Sequence, residues 1–194
     1  MIRLLFVGDV MGSAGRRALH AHLESVVDRE RVDFVVANVE NAAGGFGITT
    51  KVLEELDELP VNVWTTGNHV WDKKEGVPLL DAHPSLLRPA NYPDGNPGRG
   101  GCVEETPGGV SVAVVNLQGQ AMMPPIDNAV RGADRVLDEI AAEHPDVRVI
   151  LVDMHAEATT EKQAIGWYLD GRVTAVLGTH THVPTADERI LPQG

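Results

Sequence analysis

The sequence predicts a layered α/β (α+β) fold with helices outside the sheets. Two observations carry that expectation. Short apolar runs alternate with segments whose apolar residues recur at helical spacing, and one antiparallel hairpin signal interrupts the βα rhythm. A third observation concerns chemistry. Five strand ends carry Asp9, Glu40 with Asn41, Asn68 with His69, His155, and His180 with His182. Loops at the carboxyl ends of strands are where open α/β sheets place ligand sites.

The elements follow in order. Residues 2–7 form an apolar run, as a strand buried on both faces requires. A glycine-bearing loop leads to a helix over 14–30, where Leu19, Leu23, Val26 and Val27 share a stripe. A second strand, 34–39, ends at Glu40-Asn41 and is followed by a loop containing Gly44, Gly45 and Gly47. Thr49 or Thr50 caps a helix that Pro60 stops. Strand 61–66 runs into Gly67-Asn68-His69, and a short helix is expected over 74–82. Residues 84–101, rich in Pro, Gly and Asn, read as irregular loop. Strands 102–105 and 110–117, joined by Thr106-Pro107-Gly108-Gly109, read as the hairpin. After a Met/Pro loop, a helix over 128–143 places Val130, Ala133, Val136, Leu137 and Ile140 on one stripe. Strand 147–152, helix 160–169 and strand 174–177 complete the pattern.

At 194 residues the chain suits one domain, 1–194, with enough length for a substantial core. No terminal helix or strand closes the sheet after the last candidate loop, so a C-terminal closing segment is expected to be missing. Aromatic residues are only 4%, so the core must be aliphatic. A formal charge of −12 argues against a long nucleic acid or an anionic membrane as partner. It leaves room for a small anionic substrate, because bound cations reverse a local field. The single cysteine, Cys102, excludes an intrachain disulfide and reads as an inert buried thiol. The N-terminal apolar run is too short for a membrane span and lacks a signal-peptide cleavage pattern, so cytoplasmic residence is the default. Residues 84–101 offer an interface should the chain form a homo-oligomer.

Each candidate group has two readings. His180 and His182 are either convergent metal ligands leaving a strand as an irregular loop, or partly exposed loop histidines. Asp9 either binds metal or caps the next helix. Glu40 either bridges two ions through its two oxygens or is a salt-bridged loop acid. Asn68 offers a side-chain oxygen after Gly67, which permits a sharp turn. His69 is the best candidate for a proton donor that stays off the metal, and imidazole suits acid catalysis near neutral pH. Asp72, in a charge run, is placed to orient it. His155, alone, would read as structural. The joint occurrence favours a metal centre. The Gly44-Gly45-Phe46-Gly47 loop matches no phosphate or dinucleotide fingerprint. It is either an ordinary turn or a wall with Phe46 available for base stacking.

Gly8-Asp9-Val10-Met11, Asn38-Val39-Glu40-Asn41, Gly67-Asn68-His69, His155 and Gly178-Thr179-His180-Thr181-His182 together resemble the calcineurin-like metallophosphoesterases. The stretches GNHVWDKKE, VDMHAEATTEK and GTHTHVPTADERILP resemble the bacterial YmdB-like branch most closely. Met11 stands where the broader superfamily has a histidine, and Glu40 where it has a bridging aspartate. Both departures look like that branch. The resemblance implies a four-layer α-β-β-α sandwich with mixed sheets. It implies two divalent or trivalent transition ions, iron or manganese with zinc as an alternative. One ion would be held by Asp9, Glu40 and His182, with Asn41, and the other by Glu40, Asn68, His155 and His180. It implies attack by a metal-bridging hydroxide on a small phosphoester, a 2′,3′-cyclic nucleotide, with His69 as general acid. The alternative is a regulatory metal-binding protein that acts through partners rather than turnover.

Overall fold

The computed structural model describes residues 1–194. Two sheets form. The first contains β1 (Leu4–Val7), β2 (Phe34–Asn38) and β3 (Val63–Thr65) in spatial order β1-β2-β3, all parallel. The second contains β4 (Gly101–Glu105), β5 (Ser111–Gln118), β6 (Val149–His155) and β7 (Ala175–Thr179) in chain order. Only the β4–β5 hairpin is antiparallel. The expected mixed character therefore belongs to the second sheet alone.

Alternation along the strands builds four layers. On β2, Val35 and Ala37 join an apolar cluster with Leu19 and Leu23 of α1 (Gly12–Glu30) and Val52, Leu53 and Leu56 of α2 (Thr50–Leu56). The intervening Phe34 and Val36 meet Val112, Val114 and Leu151 between the two sheets. On β5, Ala113, Val115 and Leu117 face the helix pair α4 (Ala129–Glu143) and α5 (Thr159–Tyr168), joining Ala133, Val136, Ile140 and Ile165. Strands buried on both faces need apolar residues at every position, which is why their runs are continuous rather than alternating.

Helix boundaries follow their caps. Thr49 caps α2, its hydroxyl accepting from the Val52 N–H at 3.3 Å, and Asn128 caps α4 by accepting from Val130 and Arg131. The expected helix over 74–82 breaks into a 3-10 turn, Lys74–Gly76, and the four-residue α3, Leu79–Ala82. Gly76 lies so close to the Ile48 carbonyl that no side chain fits there, and Pro78 withholds an N–H donor. A further 3-10 turn, Asn68–Trp71, has no signal in the sequence. Residues 84–101 are irregular, as expected, but not peripheral: Leu86, Leu87, Arg88, Ala90 and Asn91 are buried.

The strand expected to end at 152 continues through His155, which pairs with Gln118 on one side and Thr179 on the other. The carboxyl ends of β1, β2, β3, β6 and β7 lie together where the sheets meet, and polar contacts stitch that seam. Asn38 Nδ2 and Thr65 Oγ1 donate to Asp153 at 3.1 and 2.5 Å, and the Thr66 N–H donates to Asn116 Oδ1 at 3.1 Å. No helix is long and apolar enough to cross a membrane.

Candidate metal centre

All seven expected ligands and His69 arrive at this seam. Glu40, one residue beyond the end of the fully buried β2 and its Val39 extension, is itself 1% exposed. Its Oε1 lies 3.1 Å from His155 Nε2, and its Oε2 accepts from the His69 N–H at 3.0 Å. His155 Nε2 is also 3.1 Å from Asn68 Oδ1 and 3.1 Å from His180 Nδ1. Ligand atoms of Glu40, His155 and His180 all fall within 4.8 Å of one another.

A looser group shares Glu40. The Asn41 Nδ2 atom is 3.1 Å from Glu40 Oε1, 3.4 Å from Asp9 Oδ1 and 3.1 Å from His182 Nε2, which itself lies 3.4 Å from Asp9 Oδ1. Turning that amide over would place its oxygen among the same three groups. Asp9 does not cap α1. The residue before that helix is Met11, which offers no side-chain cap, and Asp9 Oδ2 instead accepts from the His180 N–H at 2.9 Å. His180 and His182 adopt left-handed backbone conformations, φ 92° and 54°, so β7 breaks into a turn rather than continuing as a strand. Such conformations cost non-glycine residues about 1–2 kcal/mol each and cluster at functional sites.

Gly67 is required by space. A Cβ there would overlap both His155 and Glu40, so only glycine lets the chain enter the Asn68–Trp71 turn beside the ligands.

The protonation pattern fits a cation. A hydroxyl has one hydrogen. Thr179 Oγ1 gives its hydrogen to Asp153 Oδ1 at 2.6 Å, so at 2.9 Å from His155 Nδ1 it must accept. His155 therefore carries its proton on Nδ1 and aims a lone pair from Nε2 into the cluster. Glu157 lies 3.1 Å from His180 Nε2, which leaves His180 Nδ1 as the lone pair facing inward. Two imidazole lone pairs, a carboxylate and an amide oxygen thus converge with no donor among them. That mixed oxygen and nitrogen set suits a transition metal ion. With only protons available, Glu40 and His155 pair with each other. Burial pushes Glu40 up, but the bonds and charges of His155 and His69 together outweigh it and hold the carboxyl below its usual range. Burial likewise pushes His155 down, and Glu40 with Asp153 and Asp9 outweighs it, so the imidazole is raised. His180 is lowered by burial and then by the charge on His155.

His69 stands apart from the ligand atoms. Its Nδ1 is 2.8 Å from Asp72 Oδ2, and its ring meets the Phe46 ring edge-on at 5.2 Å. The expected orienting role of Asp72 has this contact behind it. Three other groups escape a sequence reading. Asp153, fully buried, receives hydrogen bonds from Asn38, Thr65 and Thr179, while burial still raises it to about 6. A charged residue inside an apolar strand is the available signal. Thr179 and Glu157 offer none, because their roles depend on partners 24 and 23 residues away. A cleft of about 1020 Å³ opens beside the centre, with Asp9, Met11, Lys162, Thr181 and His182 in its wall. Cys102 is far from this chemistry in kind: burial pushes its thiol up to about 12.

The two-sheet sandwich and this cluster define a hydrolase of the metallophosphoesterase type. The chain belongs to the YmdB-like protein family, whose model matches residues 5–194. A relative from Bacillus subtilis (strain 168), named 2′,3′-cyclic-nucleotide 2′-phosphodiesterase, is 46% identical over 193 residues, covering 100% of this chain and 72% of the relative. The crystal structure of a hypothetical protein from Thermus thermophilus matches with a TM-score of 0.89 at 46% identity, over 100% of this chain and 73% of that one. A crystal structure described as a novel phosphatase from Mycoplasma pneumoniae matches with a TM-score of 0.87 at 37% identity, over 100% and 69% of the two chains.

Proposed function

We propose that the protein is a phosphodiesterase for small phosphoesters of the 2′,3′-cyclic nucleotide type, working with two transition ions, iron or manganese. The observation that carries this reading is Glu40: one buried carboxylate in contact with both donor groups. Asp9, Glu40, Asn41 and His182 would hold one ion, and Glu40, Asn68, His155 and His180 the other. When bound, such ions act as Lewis acids on phosphoryl oxygens and make a nucleophile of water available at neutral pH.

The chain's own groups do the rest. His69, held at Nδ1 by Asp72, presents Nε2 as the general acid. As a water oxygen bonds to phosphorus and one phosphorus–oxygen bond of the cyclic ester breaks, the departing alkoxide takes the Nε2 proton; the proton that the water releases goes to solvent, solvent reprotonates His69, and the product is a nucleoside monophosphate. His155 and His180 keep their inward lone pairs through Thr179 and Glu157. The name of the Bacillus relative supports the substrate class.

Elemental analysis with anomalous scattering, combined with hydrolysis of adenosine 2′,3′-cyclic phosphate, tests the reading. Two metal peaks flanking Glu40 and turnover are expected. Glu40→Gln should lose both metal and turnover. A Glu40→Gln protein with full activity would refute the assignment.

A further inference from the structure

We infer that Phe46 is the platform on which the base of the substrate stacks; this rests on the cyclic-nucleotide reading of the centre. Phe46 is 53% exposed and Met11 47%, whereas Asn41, Ala42, Ala43, Gly45, Gly47 and Ile48 are buried. Scattered apolar exposure alone means little. Here the position decides.

The loop under Phe46 is fixed. The Gly45 N–H donates to Asn41 O at 3.1 Å, Ala43 N–H to Gly47 O at 3.0 Å, and Gly12 N–H to Asn41 O at 2.9 Å. Gly47 has φ 67°, and a Cβ on it would lie 2.8 Å from Lys73 Cγ and 3.2 Å from the His69 carbonyl. The loop therefore packs directly against the turn that carries His69. Phe46 is displayed from pinned backbone, with its ring edge-on to His69 at 5.2 Å and 63° between the planes. Met11 Cε comes within 3.6 Å of where a Cβ on Gly45 would stand, and Met11 shares the cleft wall with Asp9 and His182.

Substrate chemistry completes the argument. In a 2′,3′-cyclic nucleotide the 2′ oxygen and the base sit on adjacent ribose carbons. If His69 gives its proton to that oxygen, the base lies about one ring's breadth from the imidazole, which is where Phe46 stands. Aromatic stacking accepts any base, since each has a π-face. The platform therefore selects nucleotides over base-free esters without choosing among bases.

The test compares wild type, Phe46→Ala and Phe46→Trp on the 2′,3′-cyclic phosphates of adenosine and uridine and on glycerol 1,2-cyclic phosphate. Direct binding of adenosine 3′-monophosphate and glycerol phosphate is measured by calorimetry. Phe46→Ala should raise KM for both nucleotides by about ten-fold relative to its effect on the glycerol ester, with kcat changed less, and should weaken the nucleotide monophosphate selectively. Phe46→Trp should restore nucleotide KM. An equal loss on all three substrates would overturn the platform, as would a wild type that prefers the glycerol ester; either leaves the phosphodiesterase reading intact. A wild type that cleaves none of the three would overturn both.

Discussion

Thr179 stands between Asp153 and His155, its hydroxyl oxygen 2.6 Å from the carboxylate and 2.9 Å from Nδ1. One hydroxyl hydrogen directed to Asp153 obliges the imidazole to donate, and so decides which ring nitrogen is free for a metal. Groups that orient a ligating histidine are worth about 10–100-fold in metal affinity. Thr179→Val should weaken metal binding by about that factor in a chelator competition, whereas Thr179→Ser should stay close to wild type. Loss in Thr179→Ser with none in Thr179→Val would show that the methyl packing, not the hydroxyl, matters.

Gly67→Ala adds a methyl group where His155 and Glu40 already lie. Overpacking of this kind costs about 1–3 kcal/mol. Thermal unfolding should fall by several degrees, and the as-purified metal content should fall with it. A variant with wild-type melting and metal content would mean that the turn relaxes without disturbing the ligands.

His69→Ala should lower kcat by about 10²–10⁴-fold, the usual worth of a positioned general acid. Metal content should not fall, because the His69 backbone N–H, which the change retains, is its contact with Glu40. Asp72→Asn should lower kcat by a smaller factor. Loss of metal in His69→Ala would make it a ligand instead.

Cys102 should resist iodoacetamide in the native protein at pH 8 and react once the chain is unfolded, as mass spectrometry would report. Burial raises its thiol from 9.0 to about 12, so the folded state holds this proton more tightly than the unfolded state. The resulting stability is fully present below about 9 and is lost as the pH climbs toward 12. Rapid native labelling at pH 8 would contradict that burial.

Much of this candidate centre is legible because its groups come at or just after the end of an apolar run, and a polar residue after a run of Val, Ile and Leu is a local signal. Asp9, Glu40, Asn68 and His155 stand out that way, and the hairpin and the cap at Thr49 are equally local. What stays hidden is tertiary. The choice between capping and binding at Asp9 needs the His180 N–H, 171 residues away. The charge run after His69 reads as solvated, yet the preceding turn buries Val70 at 1% exposure against the first core cluster. The helix over 74–82 breaks around Gly76 and Pro78: the proline withholds a donor, which the sequence shows, and Gly76 is pressed against Ile48, a contact that no helical periodicity encodes.

The link from Asp9 to His180 also bears on biosynthesis. Because contacts of such long sequence separation form only after the intervening chain has been organised, a nascent polypeptide emerging from the ribosome displays β1 and its acid long before the histidines exist. A centre that drew on both groups of candidate ligands would therefore be complete only once β7 is made and docked.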